Sequence, residues 1–144
     1  MQIIIDADAC PVVDIALRIA KEKDLPCIIV CDNSHFIERE GASTIVVDKG
    51  AESADIRIAN TISQGDVVIT QDYGLAALVL GKKAKALNQN GLIFTNENIE
   101  NLLYSRFISK KARMSGLRTK GPQKRTADMD AAFIEAFSRI LEEK

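Results

Sequence analysis

The sequence predicts an α/β fold, with a mostly parallel central sheet covered by helices on both faces in three α/β/α layers. Three observations carry that prediction. Runs of Val and Ile such as Ile3–Ile5 and Val67–Ile69 are continuous rather than alternating, which is how strands buried on both faces read. Segments of helical periodicity separate them, so strands and helices alternate along the chain. Two of the strands also end in acids and then run into a helix, as Asp6-Ala7-Asp8 before Cys10-Pro11 and as Thr70-Gln71-Asp72.

In chain order, a strand over 2–6 feeds a helix over 11–23, where Pro11 presets the first turn. Strands follow at 26–31 and 43–47, and Lys49-Gly50 breaks the chain before a helix at 51–64. Gly65 introduces a strand at 66–70, and Asp72 is placed to cap a helix at 73–82 that ends near Gly81. A shorter strand is expected at 84–87 or at 91–94, around a turn at Asn88-Gln89-Asn90-Gly91. Asn96 or Asn98 would cap a helix at 97–114, and Thr126 one at 127–142 whose Phe133, Phe137, Ile140 and Leu141 form an apolar stripe. Gly116 to Gln123, with Gly, Pro and basic residues, reads as a flexible connection.

A chain of 144 residues, 47% hydrophobic, fits one domain over 1–144 with a real core. It has no signal-peptide pattern and no apolar run near the roughly 20 residues of a membrane span, so a cytoplasmic, membrane-free protein is expected. Three cysteines without a framework spacing argue against a disulfide-stapled secreted domain. Cys27 and Cys31 share a strand, about 13 Å apart at about 3.3 Å per residue, too far for a disulfide or a shared zinc ion. With His35 as the single histidine, oxygen ligands and a hard cation are favoured over zinc. His35 itself reads as a surface residue.

The net charge of −1 hides an uneven distribution. Residues 1–103 carry nine Lys/Arg against fifteen Asp/Glu, whereas the segment 104–127 holds Arg106, Lys110, Lys111, Arg113, Arg118, Lys120, Lys124 and Arg125 with no acid. An acidic body with a basic segment points to a polyanion partner, because neutralised phosphates release counterions. With seven aromatic residues in all, a stacking platform has little support.

Four acids form the candidate site. In open α/β sheets, ligands bind beyond the carboxyl ends of the strands, where the strand order reverses. If the first strand and the strand before Asp72 are neighbours, Asp6, Asp8 and Asp72 converge. Asp55 then faces them from its helix, where it shares the apolar face of Ala51, Ile58, Ala59 and Ile62. Two like charges 4 Å apart cost about 4 kcal/mol at an effective dielectric of 20, which a divalent cation or protonation must relieve. Mg²⁺ or Mn²⁺ suits such a donor set and can activate water for attack on phosphorus.

Arg106 lies at helical spacing among Ile99, Leu102, Leu103 and Phe107, and both a phosphate contact and a salt bridge to the acids fit it. Lys110, Lys111, Arg113, Arg118 and Lys120 would track a nucleic-acid backbone. Cys10 sits where a reactive thiol would, but the nearby carboxylates should raise its pKa. Thr70 and Asn88 are further candidates beside the acids.

Taken together, Asp6-Ala7-Asp8-Ala9-Cys10-Pro11, Ala54-Asp55, Gly65-Asp66-Val67-Val68-Ile69-Thr70-Gln71-Asp72, Ala86-Leu87-Asn88 and Gly121-Pro122 resemble, in order and spacing, the bacterial YaiI/YqxD family. That family is placed with the PIN-like nucleases. The resemblance implies a PIN-like domain in which Asp6, Asp55 and Asp72 hold Mg²⁺ or Mn²⁺, with Asp8 as a further ligand or supporting group, and in which RNA or DNA is cut by a metal-activated water. The chain departs from common PIN domains in having Asp rather than Glu on the helix and no acid soon after Asp72.

The sequence therefore favours a metal-dependent nuclease acting on RNA. A non-catalytic nucleic-acid-binding module is the alternative. An aspartate-dependent phosphatase is a third reading, suggested by Asp6-Ala7-Asp8; against it, Asp66 and Asp72 lie at opposite ends of one strand.

Overall fold

In the computed structural model, the described residues are 1–49, 53–114 and 124–143, with 113 and 114 described by their backbone alone. Six strands form one sheet: β1 (Ile3–Asp6), β2 (Cys27–Asp32), β3 (Ser43–Val47), β4 (Val67–Ile69), β5 (Lys85–Leu87) and β6 (Ile93–Phe94). Their order is β3-β2-β1-β4-β5-β6, parallel throughout except for the antiparallel pair β5 and β6. The helices are α1 (Val13–Glu22), α2 (Ser53–Thr61), α3 (Tyr73–Gly81), α4 (Ile99–Met114) and α5 (Ala127–Glu142). No helix among the described residues is long and apolar enough to cross a membrane.

The uniformly apolar central strands β1 and β4 are buried on both faces, as their composition demands, whereas the edge strand β3 is partly exposed. Ile3 and Ile5 pack with α1 and with Phe133, Phe137 and Ile140 of α5. Ile4 turns the other way, onto Ile58 of α2, Leu75 and Val79 of α3, and Ile99 of α4. Phe133 and Phe137 stack with ring centroids 5.2 Å apart. The helices thus form two layers around the sheet.

β1 pairs with β2 on one side and β4 on the other, with Ile5 opposite both Ile29 and Ile69. The strand order reverses between β1 and β4. The two acid-bearing strand ends therefore lie side by side.

Three local expectations need correction. The sequence offered 84–87 or 91–94 as a single short strand, but both segments pair, as a hairpin. Asn88 Oδ1 accepts from the N–H groups of Asn90 and Leu92, each at 2.9 Å, and so closes the turn between them. The cap before α4 is Thr95 rather than Asn96 or Asn98. Its Oγ1 accepts from Asn98 N at 3.1 Å while Asn98 Oδ1 accepts from Thr95 N at 2.9 Å, a reciprocal box that opens one turn before the regular helix.

Phe107, expected on the inner face of α4, is 60% exposed. Ile99 is buried and Leu102 and Leu103 pack partly on the core, but every residue from Tyr104 to Lys111 is exposed. A helix of 16 residues is about 24 Å long, and this one outruns the sheet it packs on.

Candidate metal and phosphate site

The site is built at the paired ends of β1 and β4. Asp6 is the last residue of β1, and its Oδ2 accepts a hydrogen bond from Thr70 Oγ1 at 2.8 Å. Thr70, buried just after β4, accepts in turn from Asp72 N at 3.0 Å through the same hydroxyl. Asp72 caps α3: its Oδ1 accepts from Gly74 N at 2.8 Å and from Leu75 N at 3.2 Å. One threonine hydroxyl therefore ties the Asp6 carboxylate to the backbone N–H of Asp72, whose own carboxylate is held by the start of α3.

Asp8 lies in the turn that follows β1. Ala9 there adopts φ of 55°, a left-handed conformation that costs a non-glycine residue about 1–2 kcal/mol. The turn is braced by Cys10 N donating to Ala7 O at 3.1 Å and Gln71 Nε2 donating to Ala9 O at 2.8 Å. Backbone strain held by such bracing is common at functional sites.

Asp6, Asp8, Asp55 and Asp72 all line one cleft of ≈ 330 Å³, together with Asp32, Gln71 and Arg106. All four predicted acids thus share a cavity. Arg106 reaches in from α4, its Nη1 donating to Asp72 Oδ1 at 3.2 Å, while its side chain stays 57% exposed. Both sequence readings of Arg106 remain compatible with that position. The cleft is not a closed cage: the group of three ligand atoms that comes within 4.8 Å among the described residues is Asp8, Asp32 and His35.

Burial raises the pKa of Asp6; the Thr70 hydrogen bond opposes the shift, and the charges of Asp72 and Asp8 add to it. A carboxyl whose folded pKa is raised holds its proton more tightly folded than unfolded. Stability then falls as pH rises from below 3.8 through the folded pKa. Asp6→Asn, which keeps an oxygen for Thr70, should therefore unfold at higher temperature than the parent at pH 7 in chelator. The advantage should fade as pH falls below the ordinary carboxylate value. Equal melting curves at both pH values would show that Asp6 bears no such strain.

Asp32 is a site residue that the sequence reading missed. It ends β2 as Asp6 ends β1, and that parallel was the signal available. Desolvation pushes its pKa up, but the Ser34 N–H and the hydrogen bonds and charge of His35 outweigh it and hold the carboxyl below its usual range. His35 is 63% exposed in its side chain, as a surface residue should be, yet its Nδ1 lies 3.2 Å from Asp32 and 3.8 Å from Asp8.

The remaining candidates separate clearly. Burial, more than the neighbouring Asp6, raises the pKa of the Cys10 thiol, which disfavours a nucleophile there. Asn88 is engaged in its turn. Lys110 and Lys111 are exposed on α4. The side chain of Arg113, and Arg118 and Lys120 entirely, lie outside the described residues. Arg125 is not a free cation of the basic segment: it bonds Asp130 Oδ1, Asn90 Oδ1 and Gln89 O, each at 2.7 Å. Asp66 sits at the opposite end of β4, its carboxylate bonded by Gln2 and Ser63, so it cannot pair with Asp72 as a phosphatase would need.

Comparison with known proteins adds a family. The family model "Uncharacterized BCR, YaiI/YqxD family" matches residues 4–143. A UPF0178 protein of Exiguobacterium sibiricum is 49% identical over 144 residues, covering 100% of this chain and 99% of its own. Another, from Ruminiclostridium cellulolyticum, is 48% identical over 137 residues, covering 95% and 90%. Among solved structures, a mutant of Rae1 (YacP) from Bacillus subtilis aligns at TM-score 0.49 and 17% identity, over 81% of this chain and 84% of that one.

Proposed function

The chain belongs to the YaiI/YqxD family, and on that premise we propose that it is a Mg²⁺- or Mn²⁺-dependent nuclease that hydrolyses phosphodiester bonds, with RNA as substrate. The observation that carries the reading is the pairing of Asp6 and Asp72 at adjacent strand ends, bridged by Thr70, in one cleft with Asp8, Asp55 and Arg106. The choice of RNA rests on the PIN-like resemblance.

The donor set fits a hard cation. It is all carboxylate oxygen, and the bonds to Thr70, α3 and Arg106 engage one oxygen of each central acid. Among the described residues, Asp6 Oδ1 and Asp72 Oδ2 carry no such bond, so these two carboxylates would be able to hold a cation. One or two carboxylates suffice for Mg²⁺, which keeps several of its waters, so an open cleft is no obstacle. When bound, the ion would neutralise the acids, polarise a phosphate oxygen and make water nucleophilic at neutral pH.

The chain's own groups do the rest. The N-terminus of α3 and the Thr70 hydroxyl hold the two carboxylates in place before substrate arrives, so no reorganisation is needed on binding. Arg106, held by Asp72 through one exposed bond, can exchange that partner for a phosphate oxygen at little cost. Lys110 and Lys111 on the same helix extend the positive surface away from the acids.

A non-catalytic RNA-binding module is favoured by one observation: Asp72 already has Arg106 as its counter-ion. The test is cleavage of end-labelled structured and single-stranded RNA with Mn²⁺, Mg²⁺ or chelator. Metal-dependent cutting is expected. Salt-sensitive binding without cutting under any of these conditions would select the binding module instead.

A further inference from the structure

We propose that the hollow beside the acidic cleft is a nucleobase subsite, seating the base of the nucleotide next to the phosphate held at Asp6 and Asp72. The proposal rests on the RNA reading above and goes further by naming which part of the polymer is read, and where. The hollow, ≈ 470 Å³, is bounded by Pro11, Gln71, Gln89, Asn90, Arg125 and Met129. It shares Ala9 and Gln71 with the acidic cleft. The hydrogen bond from Gln71 Nε2 to Ala9 O joins two residues common to both cavities. A strand that lays one phosphate at the strand ends therefore brings its neighbouring unit to this second cavity.

The lining suits a flat heterocycle better than a phosphate. Pro11 and Met129 offer apolar contact, and Met adapts to irregular shapes. Arg125 is fixed by three bonds through Nε, Nη1 and Nη2, to Asp130, Asn90 and Gln89. Those bonds take three of its five in-plane donors, one on each nitrogen, and pair its charge with Asp130, so it is less suited to clamping an anion than an unpaired arginine. Arg125 lines the hollow, and its flat guanidinium would be the surface on which a base stacks.

The polar groups point the same way. Among the described residues, Gln89 Oε1 is shut off from solvent and finds no hydrogen-bond partner. Gln89 lines the hollow, and the terminal torsion of its amide is soft. Asn90 accepts from Arg125 with Oδ1, which leaves its NH₂ as a donor. A phosphate only accepts and cannot satisfy Gln89 Oε1. A base edge presents donors and acceptors together, and Asn and Gln amides are suited to such edges.

The experiment measures anisotropy of a labelled single-stranded RNA oligonucleotide, and of the same ribose-phosphate backbone without bases, in chelator so that no cleavage intervenes. The parent protein should bind the base-bearing strand about tenfold more tightly, the scale of one stacked base. Gln89→Leu and Met129→Ala should each narrow that gap while leaving affinity for the abasic strand and its salt dependence unchanged. Gln89→Leu should melt no lower than the parent, since it replaces an unpaired buried acceptor with a side chain of similar size. Equal affinity of the parent for both strands would overturn the base subsite while leaving the phosphate-binding reading intact, as would a gap untouched by both substitutions. Absence of salt-sensitive binding to either strand would overturn both.

Discussion

Asp72→Asn is expected to lower metal-dependent RNA cleavage by at least ~100-fold, the upper end of what losing even an outer-shell group costs at a metal site, while changing stability little. The asparagine keeps an oxygen for Gly74 N and Leu75 N, and Asn is about as good an N-cap as Asp. Three smaller terms partly cancel. Loss of a charge at the start of α3 costs about 0.3–1 kcal/mol, and loss of the exposed Arg106 pair about 0–1 kcal/mol. Repulsion with Asp6 is relieved in return. Asp72→Ala would be the poorer test, because it also removes the cap, at about 1 kcal/mol. Initial rates and unfolding midpoints should be measured side by side. An asparagine variant that cuts as fast as the parent would remove Asp72 from the proposed ligand set and shift attention to Asp8 and Asp32.

The central acids were legible because the signals that mark them are local. A run of Ile or Val, then an acid, then a helix can be read without knowing the fold, and Asp6 and Asp72 both have it. Their convergence needed one topological step, the adjacency of β1 and β4, which the reversal of strand order supplies. Asp32 carries the same strand-end signal but is followed by Asn33-Ser34, so it also reads as a turn former. It does act as one, its Oδ1 accepting from Ser34 N at 2.8 Å and His35 N at 2.9 Å. Position in the turn and position in the cleft are not exclusive, and the turn signal hid the other.

The basic segment was read less well, for two physical reasons. Helical periodicity identifies a face of α4 but contains nothing about where the sheet beneath it ends, so the spacing that groups Phe107 with Ile99, Leu102 and Leu103 overstates its burial. Charge counting likewise cannot see partners distant in sequence. Arg125 looked like one more cation in an acid-free run, yet it meets Asp130 just beyond that run and Asn90 from the β5–β6 turn. It joins the start of α5 to the body, with its charge paired there.

That junction yields the largest stability effect expected. Gly91→Ala should destabilise the protein by about 2–5 kcal/mol, adding the cost of a left-handed backbone to that of overpacking. Gly91 has φ of +85°, and a Cβ there would stand 2.5 Å from Ala132 O and 2.9 Å from Ala132 C. Those atoms are backbone of α5, one residue before buried Phe133, so neither can move alone. The helix would have to lift or the turn open, against a total stability of about 5–15 kcal/mol for a domain of this kind. Gly65→Ala is the matched control: φ there is +89°, but nothing lies within 4 Å of the added carbon, so the backbone term of about 1–2 kcal/mol stands alone. Urea unfolding of the two variants separates the contributions. Gly91→Ala should lose clearly more than Gly65→Ala, and equal losses would mean that the β5–β6 turn does not press on α5 as closely as its backbone geometry requires.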